Sequence, residues 1–288
     1  MKNKIVAVLL TCFNRREKTL TCLQSFFASN KPVGYLFDVY LVDDGSTDGT
    51  GKVVKERYPN IEIINGDGDL FWAGGMRLAW ITALKRKEYD AFLLLNDDVV
   101  LFRDFLENLL KTEIYSLSQR NKTGIYSGAT IDKRTNKITY GGYKIITNHL
   151  IMRNELLSPK DLPQQCELTN ANILWVSKET VDSIGIFDER YTHGIADFDY
   201  SMQAVKKEVP VYLAPSIGGS CLHDHGKPWK ASSAPLKERL IYLKSPKGLA
   251  YSEYLYYLKK HFPLFLPYSF VMLWLKTLFP SLWETYKK

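Results

Sequence analysis

Two adjacent carboxylates, Asp97 and Asp98, follow the apolar run Ala91–Leu95, with Asn96 at the junction. Side by side in a strand-end turn, they repel each other unless a positive group sits with them. A divalent cation that bridges to phosphate oxygens supplies that charge, because Mg2+ is typically held by one or two carboxylates plus substrate phosphates. A solvated turn is the other reading, since Asp is common in turns. Asp43-Asp44-Gly45-Ser46 has the same two readings. Either Asp44 accepts from a base or ribose hydroxyl, or the segment is a turn that caps the next helix. Asp197 and Asp199 open a helix after Gly194. They are candidates for a general base, as are nearby Asp188 and Glu189, or else ordinary acidic complements to a helix dipole. His223 and His225 flank Asp224, and an imidazole there either ligates a metal or ends a strand in a polar loop.

The elements that must carry these groups alternate. Ile5–Leu10 is an apolar run of strand length, and Asn14 with Glu17 three residues on reads as a capping box for a helix through Leu20, Leu23, Phe26 and Phe27. Val39–Val42 is a second strand, Lys52–Tyr58 a helix, Ile61–Ile64 a third strand, Gly74–Lys87 a helix and Ala91–Leu95 a fourth strand. Strands buried on both faces and separated by helices predict an α/β fold with a parallel sheet. Ligands then bind beyond the carboxyl ends of the strands, where Thr11–Arg15, Asp43–Asp48 and Asn96–Asp98 all lie. Residues 122–165 read as strands or loops that cover one side of the site. Helices are expected at Lys178–Ile184 and Asp197–Lys207, and a short strand at Val211–Leu213 before Pro215.

Composition narrows the function classes. The chain has 288 residues, 45% hydrophobic and 24% charged, as expected of a globular protein rather than a disordered or collagen-like one. Four scattered Cys without a CxxC argue against a disulfide framework or zinc ribbon and for a reducing compartment. Lys2 and Lys4 precede a short apolar run that meets Thr11 and Asn14 with no small-residue cleavage site, so no signal peptide is expected. Neither GxGxxG after the first strand nor GxxxxGK[ST] occurs, which disfavours dinucleotide dehydrogenases and P-loop NTPases. From Lys227 onward eleven basic residues accompany three acidic ones, so the tail carries +8 while the whole chain carries +7. Phe262–Trp283 in that tail is apolar but broken by Pro263, Pro267 and Pro280, too short in any unbroken piece to span a bilayer. The tail is expected to lie on an anionic membrane surface or to pack against the rest of the protein or a second subunit. A nucleic-acid partner is not expected.

Taken in order, these clusters resemble family 2 glycosyltransferases. Thr11-Cys12-Phe13-Asn14-Arg15 after the first strand and Val42-Asp43-Asp44-Gly45-Ser46-Thr47-Asp48 after the second match that family's opening motifs. Leu95-Asn96-Asp97-Asp98 looks like its DXD-type metal motif. Gly185-Ile186-Phe187-Asp188-Glu189 with Ala196-Asp197-Phe198-Asp199 looks like its acceptor and base region, and His223 sits where a late His is often found. Gly68–Arg77 is similar to a glycine-rich stretch of bacterial polysaccharide members such as rhamnosyltransferases. Two positions depart from the pattern: Asn96 stands where the first DXD carboxylate is usual, and Ala196 where the Glu of an Glu-Asp pair is usual.

The resemblance implies a GT-A fold, a nucleotide-sugar-binding Rossmann-like sheet fused to an acceptor-binding half, over residues 1–226, with a helical C-terminal segment at 227–288. It implies inverting transfer from a UDP- or dTDP-sugar to a saccharide or lipid-linked saccharide in bacterial surface polysaccharide synthesis. Asp197 would be the base. Thr11, Phe13, Asn14, Arg15, Asp44, Gly74, Gly75, Arg77, Asn96 and Asp97 would contact the donor, and Asp98 with His223 would hold Mn2+ or Mg2+. The enzyme would work in the cytoplasm at the inner face of the plasma membrane, with a homodimer as a candidate assembly. The competing readings are a sugar nucleotidylyltransferase and a sugar-binding homologue that has lost catalysis.

Overall fold

The computed structural model describes residues 3–148, 151–222 and 234–281. The first half alternates strand and helix: β1 (Lys4–Cys12), α1 (Arg16–Ala28), β2 (Tyr35–Asp43), α2 (Thr50–Arg57), β3 (Glu62–Asn65), α3 (Phe71–Arg86) and β4 (Ala91–Leu95). The second half is more strand-rich: β5 (Val100–Leu101), α4 (Phe105–Arg120), β6 (Ile125–Asp132), β7 (Lys137–Tyr140), β8 (Gly142–Asn148), β9 (Ile151–Leu156), β10 (Gln164–Gln165), β11 (Leu168–Thr169), β12 (Ile173–Ser177), α5 (Lys178–Ile184), α6 (Ala196–Lys206) and β13 (Val211–Ser220). The tail forms α7 (Leu236–Lys244), α8 (Tyr251–His261) and α9 (Leu266–Leu278).

The main sheet has the order β10-β13-β6-β12-β4-β1-β2-β3. The β4-β1-β2-β3 part is parallel, and its apolar strands are buried because helices cover both faces. The chain winds one way from β1 to β3 and then places β4 on the other flank of β1. That reversal opens a crevice at the carboxyl ends of β1 and β4, the place where open α/β sheets bind ligands. Beyond β4 the antiparallel β12 leads into the second half, and a small sheet, β11-β8-β9, stands beside it.

Local detail departs from expectation at three places. Asn14 is not a helix cap: Arg15 occupies that position, without a side-chain capping bond. Asn14 adopts φ 51°, and its Oδ1 accepts from the Thr47 and Asp48 N–H groups instead. The helix expected from Gly74 starts at Phe71. The strand expected to stop before Pro215 continues to Ser220; its register shifts between Leu213 and Ile217, and such an irregularity accommodates a residue without an N–H.

The tail is not a separate layer. Tyr257 and Leu258 of α8 are buried in the same cluster as Ala7 and Leu94 of the sheet, so the boundary expected at 226/227 divides the sequence but not the core. No helix among the described residues is long and apolar enough to cross a membrane.

Candidate active site

The β1–β4 crevice is a cleft lined by Thr11, Cys12, Phe13, Arg15, Asp44, Gly68, Phe71, Trp72, Asp97, His193 and Lys247. Its floor depends on close approach of a helix to a strand. A Cβ on Gly75 would stand 2.2 Å from Thr11 Oγ1, so only glycine lets α3 lie this near β1. Gly75 is therefore a packing residue under the cleft wall, whereas a Cβ on Gly74 would stand 3.3 Å from Leu70 Cβ. Arg77, expected at a phosphate or sugar, points elsewhere: its Nη1 donates to the carbonyls of Asp188 (3.1 Å) and Tyr191 (2.6 Å). It ties α3 to the segment that precedes α6.

Asp44 is buried, and both of its carboxylate oxygens are engaged by the glycine-rich loop. Oδ1 accepts from Gly68 N (2.9 Å) and Oδ2 from Phe71 N (3.1 Å). The loop is drawn tightly over the end of β2, and Phe71 is held there at φ 53°, a conformation costly for a bulky side chain. Asn14 binds the neighbouring turn, which places exposed Phe13 at the rim.

The strand-end carboxylates share one cation. Arg15 Nη1 donates to Asp97 Oδ1 (3.2 Å) and to Asp98 Oδ2 (3.0 Å). Asp97 also accepts from Thr19 Oγ1 (3.1 Å). Burial, aided by the neighbouring Asp98 and opposed by Arg15, pushes the Asp97 carboxyl up to about 6. Asp98 faces an adjoining groove with Lys18, Lys133 and Cys221, and the Cys221 thiol donates to its Oδ1 at 3.5 Å. Asn96 lies just behind, accepting from Trp72 Nε1 at 2.7 Å. It serves to fix an indole of the cleft wall. The carboxylate oxygens of Asp97 and Asp98 are of the type a hard divalent cation takes, and Arg15 bridges them. Among the described residues no three metal-ligating side chains gather; His223 and His225 lie outside the described residues.

Asp197 begins α6 behind a left-handed residue, Ile195, at φ 71°. Its Oδ2 accepts from Ala171 N (3.2 Å) and lies 3.5 Å from Asn170 Nδ2. Burial pushes its carboxyl up to about 6. The same segment reaches the strand-end motif, because the Asn172 carbonyl accepts from Asn96 N. Residues 170–172 thus join the two carboxylate sites. Asp199, its rival as base, is fully buried and saturated. Its Oδ1 accepts from Tyr191 Oη (2.9 Å) and pairs with His261 Nε2 (2.7 Å), while Oδ2 accepts from Gln203 Nε2 (2.7 Å) and Lys260 Nζ (3.0 Å). Burial raises its pKa, but these bonds outweigh that and hold Asp199 below the usual carboxylate range. Asp188 is likewise occupied, by Lys260 and Tyr256.

The structure thus brings Thr11, Phe13, Arg15, Asp44 and Asp97 to one cleft, with Asp98 in the adjoining groove and Asp197 linked to the strand-end motif through residues 170–172. Two lining residues escaped the sequence reading. His193 lies between the two motifs that contain Asp188 and Asp197, so its position was legible. Lys247 lies more than two hundred residues from Phe13 in a tail read as separate, and nothing in the sequence connects them.

Residues 7–149 match the family model "Glycosyl transferase family 2". Hyaluronan synthase from Streptococcus pyogenes is 30% identical over 113 residues, 38% of this chain and 26% of that protein. The chain therefore spans about a quarter of the length of the curated relatives it matches. Among solved structures, the GalNAc-T7 complex with UDP, GalNAc and Mn2+ superposes with a TM-score of 0.59 at 14% identity, covering 90% of this chain and 54% of that one. A mannosyltransferase from Pyrobaculum calidifontis in complex with GDP-Man and Mn2+ gives 0.53 at 13% identity, covering 93% and 73%.

Proposed function

From the premise that the chain belongs to glycosyltransferase family 2 and has a GT-A fold, we propose that it is a metal-dependent inverting glycosyltransferase. It moves a sugar from a UDP- or dTDP-sugar to a saccharide or lipid-linked saccharide acceptor. The observation that carries this reading is the pair of separate carboxylate sites joined by residues 170–172.

Inversion requires a base on the acceptor hydroxyl, opposite the departing nucleoside diphosphate. Asp197 takes that proton as the hydroxyl oxygen forms the new bond to the anomeric carbon and the old bond to the diphosphate breaks. Asp98, beside Asp97, would hold Mn2+ or Mg2+, with His223 a further candidate ligand, and the bound cation would supply positive charge to the leaving diphosphate. Thr11, Phe13 and Asp44 form the nucleoside side of the cleft, with Asp44 acting through the loop it holds. The match to a synthase of a polysaccharide supports a role in bacterial surface polysaccharide assembly, and a rhamnosyl donor is one candidate within the dTDP-sugars. The basic, apolar tail suits a peripheral place on the inner face of the plasma membrane, or a homodimer contact.

The test is release of nucleoside diphosphate from a panel of nucleotide sugars by the purified protein. Turnover with Mn2+ that EDTA abolishes, and that the Asp98→Ala variant lacks while staying folded, is the expected result. No turnover of any donor, or full turnover in EDTA, contradicts the proposal.

A further inference from the structure

We propose that Lys247, carried on the connection between α7 and α8, is a donor-binding residue whose ammonium contacts the diphosphate of the nucleotide sugar. This inference rests on the glycosyltransferase reading and adds to it a residue outside the 7–149 segment that the family model matches.

The side chain is aimed into the cleft by construction. Nζ lies 5.9 Å from the ring centre of Phe13 and 5.8 Å from that of Phe71, both of which line the cleft. At such distances an ammonium is attracted to aromatic faces. Among the described residues no carboxylate forms an ion pair with it. Arg15, the other cation of the cleft, is engaged by Asp97 and Asp98. His193, on the same wall, is held neutral: burial, with Lys247 and Arg15 nearby, lowers it to about 4. Its Nδ1 is buried with no partner among the described residues. Lys247 is therefore the cleft's one lining cation with no carboxylate to neutralise it, among the described residues.

The backbone that presents it is tightly built. Gly248 N donates to the Ser245 carbonyl (2.9 Å), Leu249 N to that of Tyr242 (3.1 Å) and Ala250 N to that of Ser245 (3.1 Å). A Cβ on Gly248 would stand 1.9 Å from the Tyr242 carbonyl oxygen, so the turn needs glycine beside the lysine. The next helix is fastened to the cleft wall by Glu253, which accepts from Thr192 N (3.1 Å) and from the Thr192 hydroxyl. Thr192 adjoins His193.

The experiment measures the affinity of the full chain, with Mn2+, for UDP, dTDP and GDP and for the corresponding nucleosides, by ligand-observed NMR competition. Lys247→Ala is compared with wild type, with Lys247→Arg, and with Lys244→Ala as a neighbouring exposed control. A charge-assisted contact predicts about ten- to a hundredfold weaker diphosphate binding in Lys247→Ala, with nucleoside binding unchanged. Lys247→Arg should retain most of the affinity and Lys244→Ala all of it, at equal melting temperatures. Equal diphosphate affinity in Lys247→Ala and wild type overturns the inference, and so does an equal loss for nucleosides, which would put the lysine over the base. A wild-type protein that binds none of the nucleotides overturns the glycosyltransferase reading, and this inference with it. Binding by wild type with no Lys247 effect sinks this inference alone.

Discussion

At the residue scale, three carboxylates near one cleft have been given three different environments. Asp97 shares a guanidinium with Asp98, half-buried Asp197 accepts from the backbone N–H groups of Ala171 and Phe198, and Asp199 is saturated by four partners. Asp97 and Asp197 both have a raised pKa, but Asp97 bonds Arg15, whereas the hydrogen-bond donors to Asp197 are all neutral. Its conversion to Asn keeps the shape and removes the basicity, so kcat should fall by about 10²–10⁴-fold with donor affinity little changed. Because burial raises its carboxyl to about 6 and the ionised form is the active one, kcat/KM should be low below pH 6 and reach a plateau above it. A pH–rate profile checks this; a flat profile from pH 5 to 8, or a normal rate for Asp197→Asn, would remove Asp197 as the base.

At the element scale, Asp199 does a different job. It joins α6, which carries the proposed base Asp197, to α8 through Lys260 and His261. Removing its charge leaves Lys260 and the ring of His261 with less to bind, and breaking one side of a buried pair typically costs about 3–5 kcal/mol. Asp199→Asn should therefore lower the melting temperature more than Asp197→Asn does. Its folded pKa lies below the unfolded value, so the contribution is present above the unfolded pKa and is lost as pH falls through the folded one. The stability gap between wild type and Asp199→Asn should narrow in acid; equal melting temperatures at pH 7 would deny the clasp. Much of this scale was legible in the sequence. Ala91–Leu95 is a strand with the bounds its apolar run predicts, and Lys178–Ile184 is a helix with its predicted bounds. What was not legible depends on contacts made by distant segments. Nothing local says that Asn14 will bond the turn after β2 rather than cap α1, that Arg77 will reach the Asp188 and Tyr191 carbonyls, or that Gly75 is needed because of Thr11. The Asp-rich motifs were legible as a set because strand ends in a parallel sheet converge whatever the intervening helices are.

At the scale of the whole molecule, the tail has an inner and an outer side. The inner side is part of the core, through Tyr257, Leu258 and His261. The outer side exposes Leu264, Phe270, Val271, Leu275 and Phe279, on a segment whose charge is strongly positive. If that face meets a membrane, as proposed, anionic lipid is favoured by about 1 kcal/mol for each Lys or Arg near the surface. Co-sedimentation should therefore require anionic lipid, weaken with salt, and be reduced in a Phe270→Glu/Val271→Glu variant that melts normally. Equal sedimentation of wild type and variant would assign that face to another partner. Truncation is the wrong tool, because loss of α8 would open the core.

On the proposed function, one cleft holds a nucleotide sugar together with a divalent cation at Asp98. That claim is tested most directly by calorimetric titration of UDP- and dTDP-sugars into wild type and Asp98→Ala, each with Mn2+ and with EDTA. The account predicts that at least one donor binds wild type with Mn2+. That binding should weaken at least about tenfold, a loss of about 1.4 kcal/mol, in EDTA, and Asp98→Ala with Mn2+ should match wild type in EDTA. Donor affinity that is indifferent to both the metal and Asp98, or no donor binding at all, would contradict it.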